Sequence, residues 1–281
     1  MDSGNDQERR GCPLPRRDCY EVLDLVNDIL IHHWGEVRNQ EGITWDVVIP
    51  LYCAIQDSAN SLRQLARNGH VRDSFCIARC ILETSLNATY ILSAGKNAAE
   101  RAYRHYMQKS LREIDRDIDF MSTYLDASPA NHPDWHRSPE LGDALEEFTD
   151  SRGREKKNWA TDPYSERIAA IGREFGKKEA EILRVAMHSI YRPASEILHG
   201  TFYGAMFAAG KAKTPERFQD HADFVDWLGD QLSMVLLMSS AAISVMLTAI
   251  ATLIGSSEMA AKARASLLES AKSFSADAKK S

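Results

Sequence analysis

QLSMVLLMSSAAISVMLTAIATLIG, residues 231–255, runs without a single Asp, Glu, Lys or Arg. A helix that is apolar on every side either crosses a bilayer, for which about 20 residues suffice, or forms the centre of a bundle. Ser233, Ser239, Ser240, Ser244, Thr248 and Thr252 dilute the segment, no Trp or Tyr lies inside it, and no Lys/Arg cluster flanks it closely. Ser240, Ser244, Thr248 and Thr252 recur every fourth residue, a stripe of small side chains that lets a neighbouring backbone approach. Gly200, Gly204 and Ala208 form a matching stripe upstream. The segment reads as a central helix packed on that second stripe, which would place His199 in the interior. Attachment to a membrane through 231–255 stays open as an alternative.

Outward from this core, helical periodicity recurs almost everywhere, and alternating strand patterns are scarce. The expected fold is all-α, a bundle of about seven to nine helices. Val22, Leu23, Val26, Ile29 and Leu30 share one face of a first helix. Further helices are expected from about Thr44 to Gly69, Val71 to Ala94 and Asn97 to Leu125. Between 126 and 163, Pro129, Pro133, Pro139, Gly142, Gly153 and Pro163 break the pattern, leaving an irregular insertion with at most a short helix after Ser138. Helical pattern resumes from Tyr164 to Phe175 and from Lys177 to Tyr191. Pro193 must then kink the chain or start a new segment, because it lacks the amide donor of an inner turn. Thr214-Pro215-Glu216 opens the longest helix, with a weak point at Gly229.

A chain of 281 residues, 44% hydrophobic, suffices for one core. One domain over 18–255 is expected, preceded by a disordered lead-in (1–17) and followed by a loosely held helical tail (256–281). With 34 Lys+Arg against 40 Asp+Glu the net charge is -6, so the chain as a whole has no pull toward nucleic acid or anionic lipid. Five cysteines without a CxxC pair read as free thiols in a reducing compartment, and the charged N-terminus lacks the apolar run of a secretory signal. A cytoplasmic location is expected. No metal or other cofactor is expected: His32 and His33 are adjacent, diverge by 100° on a helix and cannot readily hold one ion, while His132 and His136 lie in the Pro-rich insertion.

Three constellations could carry chemistry. In YRPASEILHG, residues 191–200, Arg192 and His199 are seven positions apart, so on a helix they share a face about 10 Å apart along the axis, with Ser195 between them. An arginine that grips phosphate and a histidine that titrates near neutrality suffice for metal-free phosphodiester cleavage. Arg72, Arg79, Glu83, Asn87 and Tyr90 form a polar wedge of about 100° on the third helix, with Cys76 alongside. This wedge is either a solvated stripe or a set in which Arg79 and Glu83 sit beside His199 and fix its tautomer. Arg101, His105, Lys109, Arg112 and Arg116 fall within about 80° on the fourth helix, a row that could follow a phosphate backbone or form a salt-bridged exterior. Arg152, Arg154, Lys156 and Lys157 beside Trp159 make a second basic patch with a stacking aromatic.

Arg, six residues, then His resembles the Rx4-6H signature of the HEPN superfamily, all-helical bundles that include many metal-independent ribonucleases of bacterial toxin and anti-phage systems. The resemblance implies a homodimer acting on RNA with His199 as general acid or base, Arg192 on the phosphorane, and Ser195 or Glu83 orienting the imidazole. Pro193 departs from that pattern, in which a polar residue usually follows the arginine. Arg79-Cys80-Ile81-Leu82-Glu83 with Tyr90, followed by Ser195 to Gly200, also looks like an uncharacterised bacterial family of helical proteins over most of Tyr20 to Gly255. The competing function is a non-enzymatic helical module for a protein partner or small ligand, with His199, Arg79 and Glu83 as a structural network.

Overall fold

The computed structural model describes residues 14–124, 139–209 and 220–277. The helices are α1 (Arg17–His32), α2 (Trp34–Arg38), α3 (Ile43–Arg67), α4 (Val71–Ala94), α5 (Lys96–Tyr124), α6 (Pro139–Glu147), α7 (Tyr164–Phe175), α8 (Lys177–Ala186), α9 (Arg192–Leu198), α10 (Phe202–Ala208), α11 (His221–Ile254) and α12 (Ser257–Asp277). A π-helical turn, Met187–Tyr191, joins α8 to α9. Among the described residues the only β pairing is an isolated antiparallel bridge, Thr149 with Glu155. The all-α expectation holds. The helices outnumber it because short α9 and α10 arise where Pro193 and Gly200 interrupt a longer pattern, and short α2 follows a break at His33.

The uncharged segment is the centre of the bundle. Every residue of α11 from Val235 to Ala251 is buried, enclosed by α1, α4, α8 and α12. On length and composition α11 could cross a membrane, yet 94% of its most apolar window is covered by the protein itself. The hydroxyls of its small-residue stripe are consumed locally. Ser240, Ser244, Thr248 and Thr252 donate to the carbonyls of Leu236, Ser240, Ser244 and Thr248, each at 2.8 Å. This back-bonding avoids about 1–3 kcal/mol per buried hydroxyl left unpaired.

The partner of that stripe differs from the expectation. Ser244 meets Ser266 of α12, hydroxyl to hydroxyl, and Met259, Ala263, Ser266, Leu267 and Ser270 are buried. Residues 257–270 are therefore an integral layer of the bundle, because their Ala and Ser side chains are small enough to let α12 approach α11. Gly204, from the other stripe, lies instead on α9. A Cβ there would stand 2.5 Å from the Glu196 carbonyl oxygen.

The N-terminal side also extends the core. The expected lead-in is largely outside the described residues, but its last residues are held: the Arg16 amide donates to Ser233 Oγ at 2.9 Å. α11 runs unbroken through Gly229, where a Cβ would meet the Leu14 carbonyl oxygen at 2.6 Å. Glycine there makes room for the crossing chain. The expected opening of α11 at Thr214 to Glu216 lies outside the described residues; the helix is capped by Asp220, which accepts from the Asp223 amide at 2.9 Å, and ends on Gly255 in the left-handed region.

Cys19, Cys53, Cys76 and Cys80 are free thiols, and Cys12 lies outside the described residues. α3 continues through Pro50, and its Tyr52 hydroxyl donates to the Leu30 carbonyl at 2.7 Å, tying α3 to α1.

Candidate functional site

Pro193 shapes the region around the predicted motif. Its ring excludes a regular hydrogen bond to the carbonyl four residues earlier, Ser189, and the chain widens into the π-helical turn Met187–Tyr191 before α9 begins. Ala194 and Ile197 then point into the core against α4, and Arg192, Ser195 and His199 fall on the opposite, outward side. Arg192 and His199 are exposed and Ser195 is half-buried. None of the three side chains has an ion pair or hydrogen bond among the described residues.

His199 is therefore not interior. It is the C-cap of α9, its amide donating to the Ser195 carbonyl at 3.0 Å, and Gly200 turns the chain at φ 62°. Thr201 fixes the corner by donating to Glu196 Oε2 at 2.7 Å and accepting from the Gly204 amide at 3.0 Å. With α10 seated on the α9 backbone, the small-residue stripe that pointed to a buried His199 is used up at this corner, and the histidine faces out. Leu198, 52% exposed, and Phe202, 81% exposed, flank it.

The π-helical turn opens a cleft of about 600 Å³ beside Arg192, lined also by His188, Tyr191, Tyr203 and Gln231. His199 is not in its lining. The histidine that shares the cleft with Arg192 is His188, four residues earlier, a residue the sequence pattern did not single out. The usable signal was Pro193, which marks the widened turn upstream of it.

Arg79 and Glu83 are brought together, but not with His199. Arg79 Nε donates to Glu83 Oε1 at 3.0 Å, and its guanidinium lies 4.5 Å from the centre of the Tyr191 ring. Tyr164 donates to the same Glu83 oxygen at 3.2 Å and stands edge-on to Tyr191. Burial first, then the Glu83 charge, pushes the Tyr164 phenol up to about 12, so it remains a neutral donor. Arg167, stacked 4.3 Å over Tyr164, donates to Asn87 Oδ1 at 2.6 Å, and Tyr90 donates to Asp162 Oδ2 at 2.7 Å. The wedge on α4 is thus neither a solvated stripe nor a support for His199. It is a polar seam closed by α7 and the π-helical turn, where Arg79, Glu83, Asn87 and Tyr90 find their partners, while Arg72 is exposed outside it.

The basic row on α5 is likewise committed. Arg101 pairs with Glu147 at 2.8 Å and donates to the Trp159 carbonyl at 2.6 Å. His105 is buried against Phe148, which lowers its pKa through desolvation. Lys109 pairs with Glu155 at 3.0 Å, Arg112 donates to Thr149 Oγ1 at 2.6 Å, and Arg116 pairs with Glu155 at 2.9 Å. All five therefore bind residues 147–159, and the expectation of a row open to a phosphate backbone fails for that reason. Trp159 is half-buried against Tyr90, and Arg154 pairs with Asp150. The second basic patch has no free stacking platform at Trp159. The insertion thus ends as a docked segment, its residues 125–138, with His132 and His136, lying outside the described residues.

In comparison with known protein families, residues 46–211 match a family of unknown function (DUF5677). The chain belongs to this family. The DUF5677 segment spans α3 to α10 and contains Arg79, Glu83, Tyr90 and the Arg192 to His199 stretch, which bears out the resemblance to an uncharacterised helical family over a shorter span than expected. No curated protein and no solved structure matches the chain.

Proposed function

We propose that this DUF5677 protein is a HEPN-like ribonuclease that works without a metal at its active surface, as a homodimer joined across the outward side of α9 and α10. The observation that carries the reading is the uncommitted state of Arg192, Ser195 and His199 on one exposed helical face. Arg79 on α4 and Arg101, Lys109, Arg116 and Arg154 around the insertion are ion-paired, whereas structural roles do not account for these three.

In this reading the phosphate sits against Arg192 at the mouth of the cleft. The His199 imidazole takes the proton from the ribose 2′-hydroxyl, whose oxygen attacks phosphorus. The guanidinium stabilises the phosphorane charge. The P–O5′ bond then breaks, giving a 2′,3′-cyclic phosphate and a 5′-hydroxyl that takes its proton from a second histidine. In this reading that histidine is His188, which lines the cleft with Arg192, or His199 of the second copy. Exposed Leu198 and Phe202 beside His199 provide apolar area for the dimer contact.

The test is cleavage of single-stranded RNA in the presence of a chelator, with helicity followed in parallel. His199→Ala and Arg192→Ala are each expected to abolish cleavage and leave the fold intact. Undiminished cleavage in both variants, or cleavage that demands a divalent ion, overturns the proposal.

A second reading is favoured by Leu198 and Phe202 themselves: the same face docks a protein partner without chemistry. It predicts no cleavage by the wild type and loss of partner binding in Phe202→Glu.

A further inference from the structure

The end of α1 departs from the regular helix on which His32 and His33 would diverge. α1 stops at His32, and His33 is the joint between α1 and α2, with φ -94° and ψ 7°. The bend brings the two imidazoles to 4.9 Å between ring centres, edge to face. Ser257 starts α12 directly above, so that Glu258 reaches them. One ligand atom from each of His32, His33 and Glu258 lies within 4.8 Å of the other two.

His33 is the informative member. Its side chain is fully buried, its Nδ1 is 2.9 Å from Glu36 Oε1, and its Nε2 has no partner. A carboxylate can only accept, so in the neutral ring Nδ1 carries the proton and Nε2 keeps a lone pair. A buried acceptor with nothing to accept is unfavourable by about 1–3 kcal/mol. A histidine whose far nitrogen is held by a carboxylate, with the near one presenting a lone pair, is the arrangement that orients a metal-ligating imidazole.

We propose that His32, His33 and Glu258 bind a divalent metal of the zinc class, with His33 contributing Nε2 and Glu36 orienting its ring. Two imidazole nitrogens and one carboxylate oxygen form a borderline donor set that suits Zn(II), with a fourth position left for water. The His32 Nε2 to Glu258 Oε1 distance is 3.7 Å, close to the separation that two ligands about 2.0–2.2 Å from a tetrahedral ion would have. The remaining closure falls to His32 and Glu258, whose side chains are 63% and 61% exposed and free to move. Lys262 now holds Glu258 at 2.7 Å, and the metal replaces it as the countercharge. The site clips the α1–α2 joint to the start of α12. All three ligands lie outside residues 46–211, the segment matched to the family. The clip is independent of the ribonuclease proposal.

The experiment is calorimetric titration of the full chain, purified without a histidine tag, with Zn(II), and with Co(II) as a spectroscopic probe. Wild type is expected to bind one tight equivalent, give the visible absorption of four-coordinate cobalt, and gain thermal stability that a chelator removes. His32→Gln and Glu258→Gln, both at exposed positions, are expected to weaken binding at least tenfold with the metal-free melting temperature unchanged. Lys262→Ala is expected to tighten it. Failure of wild type to bind either ion, or equal binding by wild type and both Gln variants, overturns the proposal.

Discussion

Gly204→Ala tests the corner that turns His199 outward. In a helix interior alanine is favoured over glycine by about 1 kcal/mol, so on local grounds the substitution should stabilise α10. Against this, the new Cβ would stand 2.5 Å from the Glu196 carbonyl oxygen, 2.6 Å from its carbon and 2.8 Å from the Ile197 nitrogen. All three are backbone atoms of α9, which cannot rotate away as a side chain would. Reaching an ordinary contact near 3.4 Å requires α10 to shift by roughly 1 Å. That strains the Thr201 hydrogen bonds to Glu196 and Gly204. Overpacking of this kind costs about 1–3 kcal/mol, so the net effect is a loss of about 1 kcal/mol. In a chain of this size it lowers the melting temperature by about 2–4 °C. The assay is thermal unfolding followed by circular dichroism, with RNA cleavage measured alongside. A variant as stable as wild type, or more so, refutes the close α9–α10 packing.

Three further outcomes follow from the docking of the insertion and the position of His199. Glu147→Gln removes the carboxylate shared by Arg101 at 2.8 Å and Arg104 at 2.7 Å. It is expected to cost about 1–2 kcal/mol and to hasten proteolysis within 139–159, since partly buried charge-assisted bonds exceed surface pairs. Burial lowers the His105 pKa in the folded chain, with Lys109 and Arg101 adding to it and Glu155 opposing. Its contribution to stability is therefore complete above the unfolded value of about 6.5 and is lost as pH falls toward the folded value. Urea midpoints measured from pH 7.5 to 5 should decline less in His105→Phe than in wild type; parallel declines would rule this out. His199→Ala, at an exposed position, should change stability by less than about 0.5 kcal/mol. A loss of several kcal/mol in equilibrium unfolding would show the histidine to be structural.

Periodicity made most of the architecture legible, because amphipathic helices announce their buried face. The burial of Val22, Leu23, Val26, Ile29 and Leu30 was readable one residue at a time, and the absence of charge in 231–255 placed α11 at the centre. What failed were inferences about which elements meet. The stripes of small residues were correctly read as close-packing surfaces, yet Gly204 chose α9 and Ser244 chose α12. A stripe states how near a neighbour can come and carries no label for it. The same limit explains the α5 row: its spacing was right, but its complement, Glu147 and Glu155, lay in the segment whose pattern was least regular. The placement of His32 and His33 departs from the expected divergence for a different reason. The 100° divergence presumes an unbroken helix, and the sequence has no Pro or Gly at 32 or 33 to announce the break; Gly35 follows two residues later.

The enclosure of α11 bears on what can fold alone. The segment matched to DUF5677 ends at residue 211, before α11 begins. A fragment cut to 46–211 would therefore bare the side of α4 and α8 that α11 covers. Family membership here marks a shared piece of chain rather than an autonomous folding unit. In this chain, the matched segment needs α11 from outside its own bounds to close its core.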